Sequence, residues 1–228
     1  IYNYPYYQNH VENLGYLKDT DWVEFRIKVP EKVPEKMTRI AKIVMQKYGL
    51  RILKYTSAKK IKAEYGEALF KLINEAYADL YGYCALSDRQ INYYVDMYLS
   101  LIRLDYVSVV VDKDDNLVGI GISIPSLSQA LRKAGGKLFP LGWWHLLKAI
   151  KGRNDVVDLL LIAVKPEYQN LGINSLFFYD LLNLYIRDGV KWAESNLELE
   201  ENLHVQSQWE YFDRRQHRRR RAFRKKLK

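Results

Sequence analysis

The sequence predicts an α+β (mixed α/β) fold, and three observations carry that prediction. The chain is 48% hydrophobic, which is enough for a sizeable core. Two apolar runs, "YVSVVV" (106–111) and "NLVGIGISI" (116–124), meet across the polar "DKDD" as an antiparallel hairpin would. A later run, Val156–Val164, feeds a long helical pattern through a short polar turn, and "VKWAES" (190–195) follows as a further strand. That last order is a β-α-β unit set beside antiparallel strands.

In chain order, a Tyr-rich opening predicts a short helix over about 5–14, stopped at Gly15. A strand near Trp22–Val29 places Val23, Phe25, Ile27 and Val29 on one face and Glu24, Arg26 and Lys28 on the other. "PEKVPE" punctuates the chain as a linker. A helix over 35–47 is stopped by Gly49, and "LRILKYT" (50–56) reads as a strand. Residues 60–80 carry Ile61, Leu69, Leu72, Ile73 and Ala76 at helical spacing. Asp88 marks a cap region for another helix, "RQINYYVDMYLSLIR". After the hairpin, 126–134 reads as helix, Gly135-Gly136 breaks it, and "LGWWHLLKAIKG" forms a short helix ending at Gly152. The long helical pattern ends at Asp188, 199–212 reads as helix, and the tail alternates as a strand does.

Charge is unevenly distributed. Ten of the 36 Lys and Arg residues lie from Arg214 onward, where no acidic residue occurs, so the first 213 residues are near neutral. Such a block suits an anionic partner or a basic edge strand kept soluble by its charge; the edge strand is the favoured reading. The 19 tyrosines are scattered, which favours packing at the rim of the core over base stacking. The single cysteine, Cys84, allows no internal disulfide and, lacking a nearby His or acid in sequence, is expected to be a buried structural thiol. No apolar run reaches the roughly 18–20 residues of a membrane span, and no His/Cys/Asp spacing suggests a metal.

The turn "VKPEYQNLGINS" is the most informative stretch. Gln169, Asn170, Leu171, Gly172, Ile173 and Asn174 join a buried strand to a helix start. Free N–H groups and the positive dipole end at such a junction suit an anion, and Gly172 permits close backbone approach. The segment resembles the Q/R-x-x-G-x-G/A signature of the GCN5-related N-acetyltransferase superfamily, with Asn174 where Gly or Ala is usual. "ESNLELEENLHVQSQWEYF" resembles the strand and Asn-bearing helix that follow in that family. "YNYPYYQNHVENLGYLKDTD", "VGIGISIPSLSQALRKAGGKLFPLGW" and the "LEEN" segment resemble a subgroup of larger members.

The resemblance implies an acyl-CoA N-acyltransferase fold, a central twisted, mostly antiparallel sheet flanked by helices. Residues 1–48 would be an N-terminal arm or the tail of a preceding domain, and 49–228 the acetyltransferase-like domain. It implies that residues 169–174 hold the pyrophosphate of acetyl-CoA, or another acyl-CoA. The main chain of Leu161, Ile162, Ala163 and Val164, beside a strand bulge, would meet the pantetheine arm, and Asn202 would lie near that arm. The usual acid, a Tyr seven residues after the Asn, is replaced by Trp209; Tyr211 would point elsewhere on a helix. Glu194 is the candidate base, with a structural carboxylate as its other reading, and Asp158 is a weaker candidate. The expected acceptor is a small-molecule or peptide amine in the cytoplasm. A homo-oligomer is a further partner to test and nucleic acid a weaker one, by way of aminoacyl-tRNA as donor and the basic tail as its contact. No membrane partner and no metal are expected. A non-catalytic module that keeps the fold and binds coenzyme A is the reading from a different class.

Overall fold

The computed structural model describes all residues except 1, 88, 92, 95–101 and 228. The cap expected at Asp88 and much of the helix it would open lie outside the described residues. The chain forms two compact units: residues 28–194, and residues 1–27 together with 195–228.

The larger unit begins with α2 (Glu35–Tyr48), following α1 of the other unit (Tyr6–Asn13) and β1 (Leu17–Lys28). Gly49 ends α2 with φ +63°, a left-handed cap that glycine adopts without strain. There follow β2 (Arg51–Leu53), α3 (Ala58–Tyr77), β3 (Val107–Val111), β4 (Leu117–Pro125), α4 (Ser128–Lys133), α5 (Gly142–Lys151), β5 (Val156–Val164), α6 (Asn174–Asp188) and β6 (Trp192–Ser195). The strands lie in the order β2-β3-β4-β5-β6. β2–β3, β3–β4 and β4–β5 are antiparallel, with Val109 opposite Ile120 and Ile120 opposite Ala163. The predicted hairpin is thus the centre of the sheet. Its turn is held by the Asp112 carboxylate, which accepts from the N–H groups of Asp114 and Asn116, both at 2.9 Å.

Alternation along β4 assigns its two faces. Ile120 joins Val107, Val109 and Val111 against Tyr65, Phe70, Leu72 and Ile73 of α3. Gly119 and Gly121 face the other way, where the ring of Phe177 on α6 lies so close that a Cβ at Gly121 would stand 3.0 Å from it. Leu176, Leu181, Leu182 and Tyr185 complete that buried stripe of α6, which also packs on α2. The sheet of this unit is therefore covered by helices on both faces. The fold is mixed α/β with a mostly antiparallel sheet flanked by helices, as the element order predicts.

In the smaller unit, β1 pairs antiparallel with β7 (Glu198–Leu199) and with β8 (Arg214–Arg224), Leu17 lying opposite Arg224 and Ile27 opposite Arg214. The basic tail is a strand, as favoured. Val23, Phe25 and Ile27 are buried as their alternation predicts, but so is Glu24 on the opposite face, and so is Asp21. Arg218 and Arg220 pair with Glu24, and Arg219 and Arg221 with Asp21, so the long basic side chains of β8 cover the carboxylates of β1.

Two expectations are corrected. The helix read over 199–212 is a short strand, a turn, α7 (Leu203–Ser207) and a 3-10 turn over Gln208–Tyr211. The Glu198–Leu199 pair goes to β1, which withdraws the first residues from any helix. Cys84 is exposed, in the irregular stretch after α3. The N-terminal tyrosines Tyr2, Tyr4, Tyr6 and Tyr7 are exposed too, and contact one another edge-on or stacked.

Candidate active site

The strand-to-helix turn is built by β5 and α6 of the larger unit. β5 leaves its ladder at Val164, and Pro166 opens a single 3-10 turn. The Gln169 side chain then donates to the Val164 carbonyl at 3.1 Å, fastening the turn to the strand it leaves. Two residues take left-handed backbone, Asn170 at φ +63° and Gly172 at φ +82°. Asn is among the residues that tolerate this conformation. At Gly172 glycine is favoured on two counts, because an added Cβ would also press on the Val44 side chain of α2 at 3.2 Å. Its missing side chain thus serves packing against α2, not only the open approach to the backbone that the sequence suggests.

The helix begins without a side-chain cap at Ile173. Ser175 bonds the Gly172 carbonyl twice, through N–H at 3.0 Å and Oγ at 2.7 Å, and the Leu176 N–H takes the Ile173 carbonyl. Among the described residues, the N–H groups of Asn170, Gly172, Ile173 and Asn174 meet no acceptor. Asn170 and Gly172 are exposed, Asn174 and Leu171 half-buried, and Ile173 buried as the peg of the turn. Four unsatisfied donors at the positive end of a 15-residue helix are an arrangement that suits an anion.

β5 supplies the second half of the site. Its register with β4 slips between Leu161 opposite Ile122 and Leu159 opposite Ser123, so Leu160 is the extra residue of a bulge. The bulge precedes Leu161, Ile162, Ala163 and Val164. Ala163 and Val164 are buried and Leu161 and Ile162 half-buried. The Ile162 carbonyl accepts a 2.6 Å hydrogen bond from the Tyr77 hydroxyl of α3. Burial pushes that phenol up to about 12, so it stays a donor at neutral pH. Tyr77 was not legible as a site residue, since it closes an ordinary helical stripe. An open cleft lined by Tyr65, Lys71, Asp115 and Glu167 reaches the entry of the turn at Lys165 and Pro166.

Glu194 is half-buried in the last turn of strand before the unit ends, on β6. Asp158 is half-buried on β5, opposite Ile124. In the smaller unit, the Asn202 side chain caps α7 by accepting from the Val205 N–H at 3.3 Å. Trp209 is buried, and its indole N–H donates to the Glu198 carboxylate at 2.8 Å. Burial pushes Glu198 up to about 7, against the indole and the Ser195 hydroxyl, which lower it. Glu198 was not legible as a site residue, since it falls just ahead of the 199–212 segment and no local pattern marks a carboxylate that a distant indole will cover. Residues 208–211 form a 3-10 turn, in which positions two apart diverge by about 240°, and Tyr211 does point away from Trp209: it is exposed where Trp209 is buried. No group of three or more His, Cys, Asp or Glu residues able to hold a metal occurs among the described residues.

No protein-family model matches the chain. Protein YghO of Escherichia coli (strain K12) is 22% identical over 167 residues, covering 72% of this chain and 42% of that protein. The chain thus spans less than half the length of that relative. Among solved structures, a GCN5-related N-acetyltransferase from Sphaerobacter thermophilus superposes with a TM-score of 0.58 at 13% identity, covering 96% of this chain and 55% of the other. A GCN5-related glucosamine N-acetyltransferase region of a fungal multi-domain GH3 β-N-acetylglucosaminidase gives 0.54 at 13% identity, over 95% of this chain and 22% of the other. A tandem protein of the same class from the clavulanic acid biosynthesis pathway gives 0.52 at 11% identity, over 98% and 58%. The chain therefore has the fold of these GCN5-related N-acetyltransferase structures.

Proposed function

We propose that this chain is an acyl-CoA-dependent N-acyltransferase that moves an acyl group, in the simplest case acetyl, directly onto an amine. The observation that carries the reading is the set of four unsatisfied N–H groups at Asn170, Gly172, Ile173 and Asn174. A pyrophosphate offers acceptor oxygens of the charge and spacing that such a cradle satisfies. The acyl-CoA supplies the activated acyl group. The turn binds its phosphates, Gln169 holds the turn to β5, and the main chain of Leu161 to Val164 guides the thioester arm along the bulged strand. Glu194 is the proposed proton acceptor for the attacking amine. Direct transfer needs proximity and a proton acceptor but no covalent enzyme intermediate.

A second reading has its own observation. The position that the family resemblance reserves for a phenol is a buried indole bonded to Glu198, so a module that binds coenzyme A without turnover is the alternative. Calorimetric titration with acetyl-CoA, then a thiol-release assay over an amine panel, separates the two. Binding with turnover supports the transferase. Binding with none on any amine supports the module, and absence of binding removes both.

A further inference from the structure

The α4–α5 hairpin of the larger unit presents its bulkiest apolar side chains to solvent. On α5, Leu146, Ala149 and Ile150 are half-buried toward the protein, while Trp143, Trp144 and Leu147 share the exposed side with Lys148 and Lys151. At 100° per residue these five outward residues form one continuous sector. The loop ahead of α5 adds Leu138, Phe139 and Leu141, which are 50%, 74% and 65% exposed. A Cβ built on Gly135 or Gly136 meets no atom within 4 Å, so both glycines face open space.

The charge around this surface has one sign. From Ser126 to Asn154 the sequence holds six Lys and Arg residues and no acidic one. Arg132, Lys133, Lys137, Lys148, Lys151 and Arg153 make no salt bridge among the described residues. An exposed apolar surface with a cationic collar differs from a protein-docking groove, which needs a shaped recess. It matches the interface of an anionic bilayer, which receives Trp, Phe and Leu at headgroup depth and attracts nearby basic side chains without shape complementarity. No helix among the described residues is long and apolar enough to cross a membrane, and α5 has 10 residues, so the contact is a lying one. The expectation of no membrane partner rested on run length, which tests spanning and not surface attachment.

We infer that the α4–α5 hairpin docks this protein on an anionic phospholipid surface, inserting Phe139, Leu141 and Trp144 between headgroups within a collar of lysines and arginines. The test is co-sedimentation of the whole chain with vesicles of phosphatidylcholine and phosphatidylglycerol at 3:1, and with pure phosphatidylcholine, read also by quenching of Trp fluorescence with brominated lipid. Binding is expected on the mixed vesicles, with at least about tenfold preference over the neutral ones and weakening as salt rises. F139S/W144S, at exposed positions that keep the circular dichroism spectrum, is expected to lower vesicle affinity about tenfold or more. K148E/K151E is expected to remove the preference for the anionic vesicles. Failure to bind the mixed vesicles overturns the inference. So does binding that survives F139S/W144S but is lost in Y4S/Y7S, because the N-terminal tyrosines would then be the contact. A concentration-dependent dimer dispersed by F139S/W144S, without vesicle binding, would assign the face to a second copy and overturn it equally.

Discussion

The Tyr77 hydroxyl donates to the main-chain carbonyl of Ile162 at 2.6 Å, tying α3 to β5 just past the bulge. Tyr77→Phe leaves that carbonyl without its donor and is expected to cost about 1–3 kcal/mol in urea unfolding. If the coenzyme arm runs along this strand, saturating acetyl-CoA should recover part of the loss. An equal loss with and without acetyl-CoA would place the arm elsewhere.

Gly172→Ala combines a left-handed backbone with a Cβ 3.2 Å from Val44. The backbone component is worth about 1–2 kcal/mol. Adding Val44→Ala opens the space but not the dihedral. The double variant should therefore have a weaker coenzyme A affinity than Val44→Ala alone, by calorimetry. Equal affinities would show that the left-handed geometry of Gly172 is not what aims the N–H groups.

Asn174 stands at the first position of α6 and caps nothing. Asn174→Ala is expected to change stability by less than about 0.5 kcal/mol. A smaller side chain beside the cradle should leave coenzyme A affinity equal or tighter. A fall of tenfold would instead make the Asn174 amide a ligand in its own right.

The elements that alternate or repeat strongly were legible in the sequence. β5 runs over the expected 156–164, and the hairpin and α6 follow their apolar periods. These segments have their pattern set by one packed face, which the period alone reveals. Tyr77, Glu198 and the Asp21 cluster were not legible, because each depends on a partner far along the chain. Asp21 is buried by arginines some 200 residues later, and no local pattern marks a carboxylate that a distant strand will cover. Similarly, "NLELEEN" has the composition of a helix, and only pairing with β1 makes Glu198 and Leu199 a strand.

Glu198 gives stability an alkaline slope. Its folded pKa is pushed up to about 7 from an unfolded value near 4.5. The native state therefore binds more protons between those values, so this carboxyl lowers stability as pH rises from about 4.5 through 7, and the penalty is complete above. Glu198→Gln keeps an acceptor for the Trp209 indole and removes the ionisation. It is expected to gain about 1–3 kcal/mol over wild type at pH 8.5 and little at pH 4.5, by urea unfolding. A gain that is the same at both pH values would mean that the carboxyl is not titrating in this range.

Asp21 acts in the opposite direction. The Arg221 hydrogen bond, helped by Arg219 and Lys18, holds its carboxyl well below the usual range despite the opposing effect of burial. A depressed folded pKa contributes stability above the unfolded value near 3.8, and that stability is lost as pH falls below it. Asp21→Asn should lower stability at pH 7 by about 1–3 kcal/mol, a value reduced because the paired arginines are partly exposed. It should also flatten the acid limb between about pH 4 and 2, since the variant has no proton to take up there. Urea unfolding across pH 2.5 to 7 measures both effects. A variant that keeps the wild-type acid slope would assign that slope to other carboxylates and leave the Asp21 pairs without influence on it.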